Sequence, residues 1–149
     1  MATLVTTITD AVTLNSSVRG SSNAVTITGI NDVFERIVTC VFAQETTVAV
    51  FDAQPYTSVG AIDRDRTKYV RVTNLSSSDA VDLAVDTTTS SYTVKLDAGQ
   101  SHILSAATAI ALGEVGAPTF GTLLDLHHLI IKPTSADTDA RVEVFVALT

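Results

Sequence analysis

The sequence predicts an all-β fold, an antiparallel β-sandwich of jelly-roll type with an N-terminal arm, and three observations predict it. Val, Ile and Thr make up about a third of the 149 residues, and their branched β-carbons suit a pleated, half-buried surface better than a helix. Lys and Glu, the usual surface helix formers, number only three and four. Short segments of two-residue apolar period recur between turn signals, without helix–strand alternation or a fixed-period repeat, which is the pattern of a sandwich. At this length one hydrophobic core is expected, with an arm at residues 1–23 and one domain at residues 24–149.

Taken in order, residues Leu4–Val12 read as one strand of the arm, followed by the irregular Asn15-Ser16-Ser17 and Gly20-Ser21-Ser22-Asn23. Ala24–Thr28 places Val25 and Ile27 on one face, and Gly29 ends the run. In Val33–Phe42 the positions Phe34, Ile37, Val38, Val41 and Phe42 also fit helical spacing, and Asp32 with Glu35 fits a capping box. The β-rich content, the break at Gln44-Glu45-Thr46 and the apparent return strand of a hairpin at Thr47–Phe51 decide for a strand.

Tyr69–Asn74 and Val81–Val85 alternate cleanly on either side of the turn Ser76–Asp79 and read as a hairpin. Tyr92–Leu96 leads through Asp97-Ala98-Gly99-Gln100, where Gly99 can take positive φ, into a short strand at Ser101–Leu104. Residues Ser105–Thr122 are too apolar for a solvated linker and read as a long loop lying on the body or on a neighbouring subunit. The final strand, Arg141–Leu148, sends Val142, Val144, Val146 and Leu148 one way and Phe145 the other.

Nine basic residues against sixteen acidic ones give a net charge of −7. Binding nucleic acid rests on Lys and Arg neutralising phosphates, so no nucleic-acid partner is expected. No apolar run approaches the roughly 20 residues that span a bilayer, so no membrane is expected either. Met1-Ala2-Thr3-Leu4 lacks a basic n-region, and the single Cys40 cannot staple its own chain, so secretion is not expected.

Catalytic constellations are equally sparse, and no catalytic, cofactor-binding or metal-binding residue is assigned. The nucleophile-elbow pattern G-x-S-x-G does not occur. Cys40 lies among Val38, Val41 and Phe42, where a thiol acts as a small hydrophobe. His127 and His128 are consecutive, so a regular strand sends them to opposite faces, unable to chelate one ion together, and His102 is remote. Asp63-Arg64-Asp65 and Asp137-Thr138-Asp139 have the alternate spacing of calcium loops but lack the further ligands, and read as turn-capping residues.

One resemblance adds to this reading. Ala61–Leu75, containing Tyr69-Val70-Arg71-Val72-Thr73-Asn74, then Val81–Val85, Val94–Leu104 with Asp97-Ala98-Gly99-Gln100, and the close Leu129–Pro133 and Ala140–Val146 resemble small virion proteins of tailed bacteriophages. The resemblance implies a β-sandwich capsid decoration (cement) protein, with a tail or baseplate component or a receptor- or carbohydrate-binding sandwich as the alternative. It also implies the major capsid protein as partner, a homo-oligomer with a trimer preferred, synthesis in the host cytoplasm and a final place on the capsid surface. It carries no catalytic residue and no cofactor. Apolar residues in the two segments a lone sandwich does not need, Leu4, Ile8, Val12 and Leu14 in the arm and Ile110, Leu112, Val115 and Phe120 in the loop, are the expected interface.

Overall fold

Alternation fixes which face of a strand is buried, and the architecture follows from bringing two such faces together. A computed structural model of the chain describes residues 2–57, 60–110 and 121–149. Its strands are β1 (Ala2–Thr9), β2 (Val12–Leu14), β3 (Ser17–Arg19), β4 (Ser22–Ile30), β5 (Asp32–Cys40), β6 (Thr46–Asp52), β7 (Ile62–Asp63), β8 (Thr67–Asn74), β9 (Val81–Thr87), β10 (Ser91–Leu96), β11 (Ser101–Leu104), β12 (Thr108–Ala109), β13 (Leu124–Pro133) and β14 (Ala140–Leu148). The fold is all-β, and Phe34–Cys40 is strand rather than helix.

One sheet has the order β11-β8-β14-β5 and the other β10-β9-β13-β6, the latter extended by β7 alongside β6 and by β12 alongside β13. The pairs nest: β5 with β14, β6 with β13, β8 with β11 and β9 with β10, all antiparallel. A chain paired in this nested way is one long hairpin wrapped around a core, which is the jelly roll. The core between the sheets contains Val70, Val72, Val142, Val144 and Val146 from one side and Leu83, Val85, Leu126, Leu129 and Ile131 from the other.

The nesting corrects two pairings expected from sequence. β8 and β9 are not a hairpin, and neither are β5 and β6; each pair is split between the two sheets. Crossing to the opposite sheet lets Val70 and Val72 of β8 and Leu83 and Val85 of β9 meet in the same core, which a flat hairpin would not. Asn74 makes the β8–β9 crossing possible. Fully buried, it donates from Nδ2 to the carbonyls of Asp79 (2.8 Å) and Leu96 (3.0 Å), and its Oδ1 accepts from the Ser76 amide (3.0 Å). Its backbone amide donates to Gln100 O and its carbonyl accepts from Gly99 N, both at 2.9 Å. Gly99, at φ 79°, supplies the left-handed residue of that second crossing turn. The Tyr69–Asn74 and Asp97–Gln100 motifs therefore meet as one knot of hydrogen bonds.

The N-terminal region differs from the expectation of one strand and a coil. β1 pairs with β4 from Ala2 opposite Ile30 to Thr9 opposite Ser22, and β2 pairs with β3. Asn15 and Ser16, at φ 50° and 63°, form the two-residue left-handed turn that suits a twisted hairpin. Residues 2–30 are thus one continuous hairpin, and Ala24–Thr28, read as the first strand of the sandwich, belongs to this arm. Its bend lies at Gly20, φ 135°, where a Cβ would stand 1.9 Å from the carbonyl oxygen of Asp10. Leu4 and Ile27 pack on Ile30, Tyr69 and Ala147 on the outer surface of the β11-β8-β14-β5 sheet. The base is pinned further by Asn31 N to Leu148 O (3.0 Å) and by Arg66, which donates to Asn31 Oδ1 and to Thr149 O.

Candidate functional site

Two features of the surface stand out from this frame. The first is the arm beyond its anchored base. Register puts Leu4, Thr6 and Ile8 on one face with Ile27 and Val25, while the other face carries Thr3, Val5, Thr7 and Thr9 with Thr26 and Thr28. Beyond Leu4 and Ile27, apolar side chains on both faces of the arm are open: Ile8 and Val25 on the face of Leu4, Val5 on the other, and Val12, Leu14 and Val18 at the β2–β3 end are 52–74% exposed. A two-stranded ribbon on its own is marginally stable in water. A small apolar hollow lined by Thr6, Ile8, Val25, Ile27, Tyr69 and Ile103 separates the ribbon from the sheet below.

Of the expected interface residues, Ile8, Val12 and Leu14 lie on this exposed stretch, whereas Leu4 is half-buried against its own chain. Ile110 is half-buried; Leu112, Val115 and Phe120 lie outside the described residues. Val25, and Val18 on the β2–β3 face opposite to Val12 and Leu14, are exposed as well and are not among the expected interface residues. Asn15-Ser16 between the short apolar-bearing runs Val12–Leu14 and Ser17–Arg19 was the available signal, since a two-residue turn led by Asn marks a hairpin whose second strand must then be read as arm.

The second feature is a side-chain cluster on the outer surface of the β10-β9-β13-β6 sheet. The pairing of β13 with β9 shifts between Leu126, opposite Thr87, and His128, opposite Asp86, which leaves His127 as the extra residue of a β-bulge. A bulge re-aims side chains. The expectation that His127 and His128 face opposite ways therefore fails: their rings lie 4.0 Å apart between centroids. His128 Nδ1 is 3.2 Å from Asp86 Oδ2, and ligand-type atoms of Asp86, His127 and His128 all lie within 4.8 Å of one another. The bulge was readable, because the inward apolar positions run Leu124 (half-buried), Leu126 and then Leu129, Ile131, changing parity across the two histidines.

The remaining candidates have structural duties. Tyr92 and His102 meet across the open edge of the sandwich, with Oη and Nε2 3.1 Å apart; burial lowers the His102 pKa and raises that of Tyr92, so the pair is held neutral. Asp63 Oδ1 accepts from the amides of Asp65 and Arg66 (3.1 and 3.2 Å), Asp139 Oδ1 from the amide of Phe42 (3.0 Å), and Asp137 Oδ1 from the Ser135 and Thr138 hydroxyls (3.0 and 3.2 Å). These aspartates cap turns. Cys40 is fully buried, and that burial pushes its thiol pKa up, away from the reactive thiolate.

No family model, curated protein or solved structure matches this chain.

Proposed function

We propose that the chain is a structural component of a protein shell, a capsid decoration protein that grips a neighbouring subunit through its N-terminal hairpin, and that its role is mechanical rather than catalytic. The observation that carries this reading is the arm: a hairpin fixed at its base by Leu4, Ile27 and Arg66, with Ile8, Val12, Leu14, Val18 and Val25 more than half exposed. Covering these side chains stabilises an assembly by on the order of 1 kcal/mol each, since full burial of such a side chain is worth roughly 1.5–3 kcal/mol. Among the described residues no third strand pairs with the β1–β4 ribbon, so its edges offer backbone groups to which a partner strand can add. The rest of the molecule supports a load-resistant role, because the jelly-roll core and the Asn74 knot are built from residues outside the arm.

Imaging of virus particles that carry this chain tests the proposal. The expected result is density for the jelly roll on the outer surface of the head with the hairpin laid over an adjacent subunit. Density confined to the tail, or a hairpin contacting nothing, contradicts it.

A further inference from the structure

We propose that the bulge in β13 builds a binding site for a divalent transition-metal ion, with Zn2+ the favoured occupant, held by Asp86, His127 and His128. Three facts of geometry converge on it. The extra residue in the ladder brings two adjacent imidazoles to one side of the sheet, which a regular strand cannot do. Asp86 is the single residue that opposes the bulge across the ladder, so its carboxylate meets the imidazoles without any loop having to close. Finally, tetrahedral Zn2+ with bonds of about 2.0–2.1 Å sets its ligand atoms roughly 3.3–3.4 Å apart. His128 Nδ1 and Asp86 Oδ2 already stand at 3.2 Å, and all three ligand atoms fall within 4.8 Å, so only the exposed His127 has to move to complete the set.

The donor set decides the class of ion. Two imidazole nitrogens and one carboxylate oxygen suit Zn2+, Ni2+, Co2+ or Cu2+, whereas Ca2+ and Mg2+ require oxygen ligands throughout. The metal replaces the direct His128–Asp86 contact. His127 also lines a groove with Thr87, Thr88 and Ser91, from which water completes the coordination. Bound there, the ion ties the end of β9 to the point where β13 enters the sandwich.

The test is calorimetric titration of the full-length chain with Zn2+ alone, with Co2+ absorption as a reporter of coordination geometry. The expected result is one ion per chain, with visible Co2+ bands of tetrahedral intensity. His127→Ala and Asp86→Asn should each weaken binding at least about tenfold, the loss that even an indirect partner of a metal ligand causes. His102→Ala, remote from the bulge, should leave binding within about twofold. His127 is exposed, so its removal does not threaten the fold. Absence of binding at submillimolar Zn2+, or equal binding by wild type and His127→Ala, overturns the proposal.

Discussion

Strand β14 and the N-terminal hairpin are both made of alternating residues, and they end in opposite circumstances. Val142, Val144 and Val146 are fully buried, while Val12, Leu14 and Val18 are more than half exposed. Nothing in the local pattern separates them, because alternation states only that one face of a strand wants cover. In β14 the cover comes from the facing sheet of the same chain. The hairpin packs on its own sandwich at Leu4 and Ile27, and a hollow separates Ile8 and Val25 from the sheet below. The difference teaches that one alternating pattern serves two circumstances, buried between two sheets in the sandwich and exposed in the arm.

That contrast is open to direct attack. The largest effect is expected in the core: Leu83→Ala should cost about 2–5 kcal/mol in chemical denaturation, the usual range for an emptied leucine site. Val18→Ala in the arm should stay within about 0.5 kcal/mol. Comparable losses at both positions would mean that the arm folds as part of the core.

Next in size, Asn74→Ala should cost about 2–3 kcal/mol, since it removes three hydrogen bonds and leaves the Leu96 and Asp79 carbonyls without that donor. Urea unfolding measures this, and a loss below about 0.5 kcal/mol would remove the knot from the account of the crossings.

The smallest effect concerns His102. Burial lowers its pKa in the folded state from the ordinary 6.5. Below 6.5 the unfolded chain therefore takes up the proton first, so the stability contribution is complete above that pH and declines as pH falls through the range beneath it. A melting temperature that drops from pH 7 to pH 5 less steeply in His102→Gln than in wild type is expected; identical slopes would contradict the assignment.

Much of this was legible beforehand, for reasons that individual residues make plain. Val70, Val72, Leu83, Val85, Val142 and Val144 announced their faces by period two, and Gly99 announced its turn. Partners were less legible: Tyr69–Asn74 and Val81–Val85 carry the same signal whether they pair with each other or cross to opposite sheets, and the deciding contact, Asn74 with Leu96, spans 22 positions. The bulge at His127 was written in the parity change from Leu126 to Leu129 but required reading the apolar positions on both sides together. The arm's second strand was hidden because Ala24–Thr28 alternates as well as any sandwich strand.

The central claim, that the arm assembles and the sandwich stands alone, is tested most directly by sedimentation velocity on two forms of the chain at micromolar concentration. One is the wild type; in the other, Asp10 to Ser21 is replaced by Asn-Gly, which closes the ribbon at the paired Thr9 and Ser22, whose hydroxyls already meet at 2.9 Å. The account predicts an oligomer, three copies preferred, for the wild type and a folded monomer with an unchanged β-sheet circular dichroism spectrum for the shortened form. Identical sedimentation of the two forms, or an unfolded shortened chain, would contradict it.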